Sequence, residues 1–180
     1  KNYSIPFYFV DNHNSIDAIK LYKKLKIDCL FNAGTPRKIS NEVLNLDAIP
    51  QGVVNIHPGI LPQYRGCSSV EWAILNDDPI GNCVHFMDKN YDTGPIICDE
   101  KYNFVNEKNY IDIRNKVYLS GCKLAAKALK KIQIGEINIH NAQKQDDNIA
   151  RYWDPTPKEL EDKAIEKANQ RMYKFQLNLT

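Results

Sequence analysis

Strand-like apolar segments alternate with helical segments along the chain, and this alternation is the strongest constraint on the fold. Residues 5–11 and 27–34 are apolar segments ending in polar turns, and residues 52–57 (GVVNIH) are nearly continuously apolar; all three predict buried strands. Between them, apolar side chains recur on one helical face over residues 16–26 after a Ser15 cap, and a short helix is predicted from Ser40. This order predicts an α/β fold with a doubly wound, mostly parallel sheet and right-handed crossovers.

The remaining sequence continues this domain to about residue 150, after which its composition changes. We predict helices over residues 69–75 and 110–134, the second ended by Gly135, and extended segments over residues 83–88 and 94–104. Residues 151–157 (RYWDPTP) are typical of a linker, and residues 158–174 of a charged helix. We therefore predict one domain over residues 1–150 and a linker with a C-terminal helix over residues 151–180, with Tyr152 and Trp153 anchoring that extension. Because the chain begins at Lys1 and runs almost at once into a strand-like segment, we expect an N-terminal truncation.

The composition limits the kinds of molecule that the protein is expected to bind. Lys and Arg total 24, Asp and Glu total 22, and the net charge is +2, so no charge excess favours nucleic acid or a membrane surface. No apolar run approaches the roughly 18 to 20 residues that cross a bilayer, and no signal peptide is apparent. The five cysteines are scattered, which predicts reduced thiols and neither a disulfide framework nor a metal site. These features predict a cytoplasmic protein with a small-molecule partner.

The first segment whose side chains could take part in catalysis is NIHPGILPQYRG, residues 55–66. Ligands of open α/β sheets bind beyond the carboxyl ends of strands, so polar residues that end a buried strand are candidates for a site. Asn55 and His57 are two residues apart in a predicted strand and therefore point to the same side. Pro58, Gly59 and Pro62 predict a stiff, irregular loop after them. An amide and an imidazole held in this way can donate hydrogen bonds to a developing oxyanion in acyl transfer.

The second segment is VHFMDKNYDTGPII, residues 84–97. It places His85 in a strand and Asp92 in a turn before Gly94. We expect the Asp92 carboxylate to hold His57 in its protonated form, since a neighbouring opposite charge favours the charged state. Each residue also has a structural interpretation, because Asn55 and His57 can cap a strand, Asp92 can form a turn, and His85 can be a core histidine.

Together, NIHPGILPQYRG and the VHF and DTGPII that follow it resemble the folate-dependent formyltransferase family, which includes glycinamide ribonucleotide, methionyl-tRNA and nucleotide-sugar formyltransferases. The resemblance spans roughly residues 5 to 135, and such a composite motif is far more specific than one short pattern. It implies 10-formyltetrahydrofolate as cofactor, no metal, and catalytic roles for Asn55, His57 and Asp92. It also implies two walls of a pterin pocket, formed by Pro36, Arg37 and Lys38 in one loop and by His85, Phe86, Met87 and Asp88 opposite.

The resemblance leaves the amine acceptor open. The first strand and helix of the family, which form part of the acceptor pocket, are expected to be missing, and the segment after Ala150 is too short and too helical for the β-barrel of a methionyl-tRNA formyltransferase. The EWAI segment, residues 71–74, resembles sugar-modifying members. We therefore expect a nucleotide-linked amino sugar as acceptor. The alternatives are a glycinamide ribonucleotide formyltransferase, a formyltetrahydrofolate hydrolase and an inactive folate-binding module.

Two further expectations concern surfaces. Arg37 and Arg65 can bind an acceptor phosphate through bidentate hydrogen bonds, or they can pair with carboxylates. An apolar stripe on the terminal helix predicts a homodimer interface, and its members are Ile165, Met172, Phe175 and Leu179.

Overall fold

A four-stranded sheet with helices on both faces is the framework of the computed structural model, which describes residues 4–35 and 37–177. The helices are α1 (Ile16–Leu25), α2 (Asn41–Leu44), α3 (Ser69–Asn76), α4 (Tyr110–Gln133) and α5 (Lys158–Asn169). The strands are β1 (Leu30–Asn32), β2 (Val53–His57), β3 (Arg65–Gly66), β4 (Ile80–Phe86), β5 (Ile96–Tyr102) and β6 (Tyr152–Trp153). The main sheet has the order β1-β2-β4-β5, and β3 pairs with β6 in a second, two-stranded sheet.

The sheet is mixed. Strands β1 and β2 are parallel, as predicted, whereas β2 with β4 and β4 with β5 are antiparallel. The α/β class is therefore confirmed, but parallel pairs do not predominate among the described strands. The physical reason is that the connection between β2 and β4 brings the chain back at the edge where β2 ends. Strand β4 starts at Ile80, beyond the end of β2, passes His57 at Cys83 and runs back along β2.

Helices cover both faces of the sheet, which gives the doubly wound arrangement its core. In β2, Val53 packs with Ile19 and Val43 from α1 and α2. The next residue, Val54, points to the other face and packs with Leu124 and other apolar residues of α4. Because neighbouring strand residues face opposite sides, a strand covered on both faces needs apolar residues at consecutive positions. This explains the uninterrupted apolar character of residues 52–57.

The predicted helix starts are confirmed at their caps. The Ser15 side chain accepts a hydrogen bond from the backbone of Ala18 (3.1 Å), and Ser40 caps α2 in the same way. These side chains satisfy backbone N–H groups that lack a partner inside the helix. Within residues 4–35 and 37–177, no helix combines the length and the apolar character needed to cross a membrane.

The C-terminal segment packs onto the main core. Trp153 stacks on Tyr64 with ring centroids 5.5 Å apart and lies 4.7 Å from the ring of Trp72. Its indole N–H donates to the carbonyl of Gln63 (2.9 Å). The anchoring prediction is thus confirmed for Trp153. The segment expected to be a linker also forms a strand, because β6 pairs with β3. The division of the chain at residue 150 stays a prediction.

The structure departs from two expectations about apolar surface, although the homodimer itself stays a prediction. Residues 5–11 form no strand, and Ile5, Phe7 and Phe9 are more than 80% exposed. No described strand lies beside this segment, and a strand needs a neighbour for its backbone hydrogen bonds. The expected homodimer stripe is not a free surface either, because Ile165 and Phe175 pack against the core; Met172 is exposed and Leu179 lies outside the described residues.

Replacing Trp153 with Ala should lower the free energy of unfolding by about 3 to 5 kcal/mol, because it removes a buried ring that joins β6 to Tyr64 and Trp72. Urea denaturation measures this change. The control is Ile149→Ala, at a nearby exposed position, which should change stability by less than about 0.5 kcal/mol. Equal effects of the two substitutions would show that the segment is not anchored by Trp153.

Candidate functional site

The carboxylate of Asp92 lies where the end of β2, strand β4 and the loop 87–95 meet. Its Oδ2 is 3.6 Å from His57 Nδ1 and accepts a hydrogen bond from the backbone N–H of Gly66 (2.9 Å). Its Oδ1 is 3.4 Å from His85 Nε2. Asn55 joins the group through a 3.1 Å contact between its Nδ2 and His85 Nε2. The structure therefore brings Asn55, His57 and Asp92 together, with His85 at the centre of the group.

The backbone of the Asp92 loop is held in an unusual conformation. Asp92 has φ of 55°, a left-handed value that Asp tolerates better than most residues. The side chain of Gln145 donates to the carbonyls of Asp92 (2.9 Å) and Gly94 (2.8 Å). Arg65 in turn holds Gln145 through a 3.0 Å hydrogen bond from its Nε. These contacts fix the direction of the Asp92 carboxylate.

Hydrogen bonding fixes which nitrogen of His57 carries a proton. His57 Nε2 is 2.5 Å from the carbonyl oxygen of Tyr64. A carbonyl only accepts, so Nε2 must donate. The Ser69 hydroxyl, 3.2 Å from the same nitrogen, also donates to the Tyr64 carbonyl. Nδ1 is left facing Asp92, and in the neutral ring it carries no proton.

Burial decides the charge of His57. Burial lowers the pKa of this fully enclosed imidazole, and this effect outweighs the raising effects of the Asp92 charge and the Tyr64 carbonyl. His57 is therefore neutral at pH 7, and the expectation that Asp92 holds it protonated is wrong in the structure. Burial also acts to raise the pKa of Asp92, but His85 and His57, in the charged forms that they take in acid, and the Gly66 N–H lower it to about 2. Asp92 is therefore ionised at neutral pH.

A cavity of about 160 Å³ opens beside this group of side chains. Its floor is formed by Asn55, His85 and Asp92, whereas His57 lies behind Asp92 and does not line it. Its walls come from two loops, and the side chains that line them are Asn32, Thr35, Arg37, Lys38, Ile39, Met87, Asp88, Asn90 and Tyr91. The Lys38 ammonium lies 4.9 Å from the centre of the Tyr91 ring, which links the two walls.

Most of the residues expected in a cofactor pocket line this cavity. Arg37, Lys38, His85, Met87 and Asp88 do so. Phe86 does not: its side chain is buried in the core, and its carbonyl accepts a hydrogen bond from His85 Nδ1 (2.8 Å). Pro36 lies outside the described residues.

A second, larger cavity of about 780 Å³ lies on the other side of the Asp92 loop. It is lined by three cationic side chains, Arg65, Lys144 and Arg151, and by the rings of Tyr91 and Tyr152. Arg65 pairs with the carboxylate of Asp147 (2.8 Å), which is one of its two expected roles. Because it also lines the cavity, its position is compatible with the other role, binding an acceptor phosphate. Lys144 and Arg151 are exposed to solvent.

Three contributors to the site were not predicted. Ser69 and Gln145 contact it from α3 and from the segment after α4, and no local pattern marks either of them. Asn32 donates a hydrogen bond to Asn55 Oδ1 (2.8 Å). Asn32 ends the apolar strand β1, so the rule that selected Asn55 also applies to it.

Replacing Gly59 with Ala should distort the His57 contacts, since an added Cβ would lie 2.8 Å from His57 Nε2 and 2.8 Å from Ser69 Oγ. We expect a loss of about 1 to 3 kcal/mol in unfolding free energy from this overpacking, measured by thermal or urea denaturation. Adding Ser69→Gly to the same chain should recover part of the loss. Unchanged stability in the single variant would contradict the packing described for His57.

Comparison with known proteins places this geometry in a family. A model of the formyl transferase family matches residues 10–129. The methionyl-tRNA formyltransferase of Borrelia turicatae is 36% identical over 137 residues, which cover 76% of this chain and 42% of that protein. That of Kosmotoga olearia is 29% identical over 160 residues, 88% of this chain and 50% of that protein. The chain thus spans half the length of these curated relatives or less.

Solved structures show the same fold. The formyltransferase PseJ from Anoxybacillus kamchatkensis, in complex with UDP-4,6-dideoxy-4-formamido-L-AltNAc and tetrahydrofolate, superposes with a TM-score of 0.65 at 20% identity, over 83% of this chain and 78% of that one. Glycinamide ribonucleotide transformylase 1 from Symbiobacterium toebii gives 0.60 at 24% identity, over 73% of this chain and 64% of that one. The fold is therefore the Rossmann-like fold of these enzymes, and the resemblance to the formyltransferase family is confirmed. The chain belongs to the formyl transferase family.

Proposed function

We propose that the protein transfers a formyl group from 10-formyltetrahydrofolate to a primary amine, the amino group of a nucleotide-linked amino sugar. The observation that carries the proposal is the convergence of Asn55, His57 and His85 on the ionised Asp92 at the end of a cavity. An amide donor, a neutral imidazole and a buried carboxylate are the groups that acyl transfer to an amine requires. Membership of the formyl transferase family supports the same reaction.

The residues of the 160 Å³ cavity fit a pterin. Ile39, Met87 and the ring of Tyr91 offer apolar surface for a flat heterocycle, and Asp88 and Thr35 offer polar groups for its edge. When bound, 10-formyltetrahydrofolate supplies the activated formyl group. Arg37 and Lys38 are exposed at the rim, where cations suit the carboxylates of the folate tail.

Asn55 is the donor in this mechanism. Its Oδ1 is occupied by Asn32, so its Nδ2 faces the cavity floor and His85. There it is placed to donate to an oxygen that gains negative charge as the amine attacks. A single donor of this kind typically contributes on the order of 100-fold to 1,000-fold in rate.

His57 is the proton acceptor. In its neutral form Nδ1 holds a lone pair toward Asp92. His57 can therefore take the proton that an attacking amine loses once the Asp92 carboxylate, which lines the cavity, has relayed it. The resulting imidazolium has an acceptor at each nitrogen, the Tyr64 carbonyl and the Asp92 carboxylate. His57 can return this proton through Asp92 to the folate nitrogen as the bond between that nitrogen and the formyl carbon breaks, so that tetrahydrofolate leaves and His57 is neutral again. Asp92 thus favours the charged form at the moment when the proton arrives, and its own low pKa keeps it ionised.

The larger cavity supports an acceptor that carries phosphate. It adjoins the Asp92 loop, holds Arg65, Lys144 and Arg151, and is flanked by two tyrosine rings. Arginine side chains bind phosphate bidentately, and aromatic rings pack against bases and sugars. The sugar nucleotide in the PseJ complex is an acceptor product of this chemistry.

Methionyl-tRNA is the second candidate acceptor, and the curated relatives favour it. The Borrelia turicatae protein, at 36% identity, is a methionyl-tRNA formyltransferase. Against it, the formal net charge of +2 gives no general attraction for RNA.

Mass spectrometry after incubation with 10-formyltetrahydrofolate and a panel of acceptors tests the proposal. The panel contains amino-sugar nucleotides, glycinamide ribonucleotide and methionyl-tRNA, each with the protein and with its His57→Ala variant. We expect a formyl mass gain on an amino-sugar nucleotide, and a loss of rate on the order of 100-fold or more in the variant.

The other possible results of this experiment would each indicate a different function. A mass gain on methionyl-tRNA or glycinamide ribonucleotide alone would replace the acceptor. Formate release without any amine would indicate a hydrolase, and folate binding without turnover would indicate an inactive module. A His57→Ala rate within a few-fold of the parent rate would remove His57 from the mechanism.

A further inference from the structure

A row of polar side chains crosses three neighbouring strands below the proposed pterin pocket. Asn32 in β1 is in register with Asn55 in β2, which is in register with His85 in β4. Asn32 Nδ2 is 2.8 Å from Asn55 Oδ1, and Asn55 Nδ2 is 3.1 Å from His85 Nε2. The row begins at the backbone N–H of Thr35, 3.0 Å from Asn32 Oδ1, and ends at the carbonyl of Phe86, 2.8 Å from His85 Nδ1.

The two ends of the row fix the direction of every hydrogen bond in it. A backbone N–H only donates, so the Asn32 atom facing Thr35 must be its oxygen. The Asn32 amino group then faces Asn55, which must present its oxygen there and its amino group to His85. At the other end the Phe86 carbonyl only accepts, so His85 Nδ1 carries a proton. In the neutral ring Nε2 then holds a lone pair, which accepts from Asn55 and presents no proton to Asp92 Oδ1, 3.4 Å away.

We infer that Asn32 is a positioning residue that fixes the side-chain amide of Asn55 with its N–H group, rather than its oxygen, toward the reaction centre. The inference rests on the proposed function, because it assigns a cause to the donor role of Asn55. The two orientations of an Asn amide have nearly the same shape, so packing alone does not select one. The neighbour that accepts or donates makes the selection.

The inference also links the pocket to the reaction centre. Thr35 belongs to the loop that lines the proposed pterin pocket, and its N–H is the origin of the row. A ligand that orders this loop therefore also strengthens the orientation of Asn55. Hydrogen bonds in such a chain polarise one another, which adds to the effect.

Two substitutions at Asn32 separate positioning from a merely structural role. Asn32→Asp keeps the shape and the acceptor for Thr35 but presents a second acceptor to Asn55, so the Asn55 amide should turn over and face His85 with its oxygen. Asn32→Leu removes the polar contacts and leaves the amide free. The control is Asn115→Asp, the same change at an exposed position of α4.

Steady-state kinetics and imidazole ¹⁵N shifts of His85 in the full-length protein provide the readouts. We expect Asn32→Asp to lower kcat on the order of 100-fold to 1,000-fold, as for a lost oxyanion donor, with the KM for formyl-folate little changed. Asn32→Leu should lower kcat by less than about 100-fold, since the freed Asn55 amide still presents its N–H group to the reaction centre part of the time. In Asn32→Asp the His85 Nε2 shift should move toward that of a protonated nitrogen, and Asn115→Asp should change neither kcat nor the shift.

A different order of effects overturns the inference. If Asn32→Leu impairs kcat as much as Asn32→Asp, or if both act mainly on KM, Asn32 serves only to shape the loop. An unchanged His85 shift in Asn32→Asp overturns it as well. If the parent protein formylates no acceptor, the proposed function fails, and the His85 shift still decides whether Asn32 sets the direction of the row.

Discussion

A buried, ionised carboxylate between two imidazoles is the interaction on which the rest of the site depends. Removing the charge of Asp92 from water is costly, and an unpaired buried charge is not tolerated. Here the Gly66 N–H donates a hydrogen bond to it, and the imidazoles of His57 and His85 lie 3.6 Å and 3.4 Å away, where either ring becomes its ion-pair partner on taking up a proton. The strained backbone at Asp92 and the hydrogen bonds from Gln145 serve to hold the carboxylate at this position. The surrounding loops are therefore arranged around one charge.

The mixed sheet brings His85 close to the Asp92 carboxylate. Because β4 runs antiparallel to β2, His85 is directly opposite Asn55 and on the same row as Asn32. A mostly parallel sheet with another strand order would not create this row. The departure from the predicted topology is thus what places a second histidine within reach of Asp92. It also explains why His85, expected either in a pocket wall or as a core histidine, lies at the centre of the site.

The sequence predicted those parts of the molecule that depend on local pattern. The strand of residues 52–57, the caps at Ser15 and Ser40, and the meeting of Asn55, His57 and Asp92 all follow from short-range signals and a composite motif. Pairing partners do not follow from such signals, because a strand forms only beside another strand. Residues 5–11 therefore look like a strand and form none, while residues 152–153 look like a linker and pair with β3. The sign of the His57 pKa shift was missed for a related reason, since burial is a property of the whole fold.

The dependence of kcat and kcat/KM on pH in an Asp92→Asn variant tests the central claim most directly. Asn tolerates a positive φ as Asp does, so the loop should keep its shape. Because the Asp92 charge raises the pKa of His57, its removal should shift the acid limb of kcat/KM to lower pH. It should also lower kcat on the order of 100-fold or more, since the imidazolium loses its partner. A kcat within a few-fold of the parent, with the acid limb unmoved, would contradict the account.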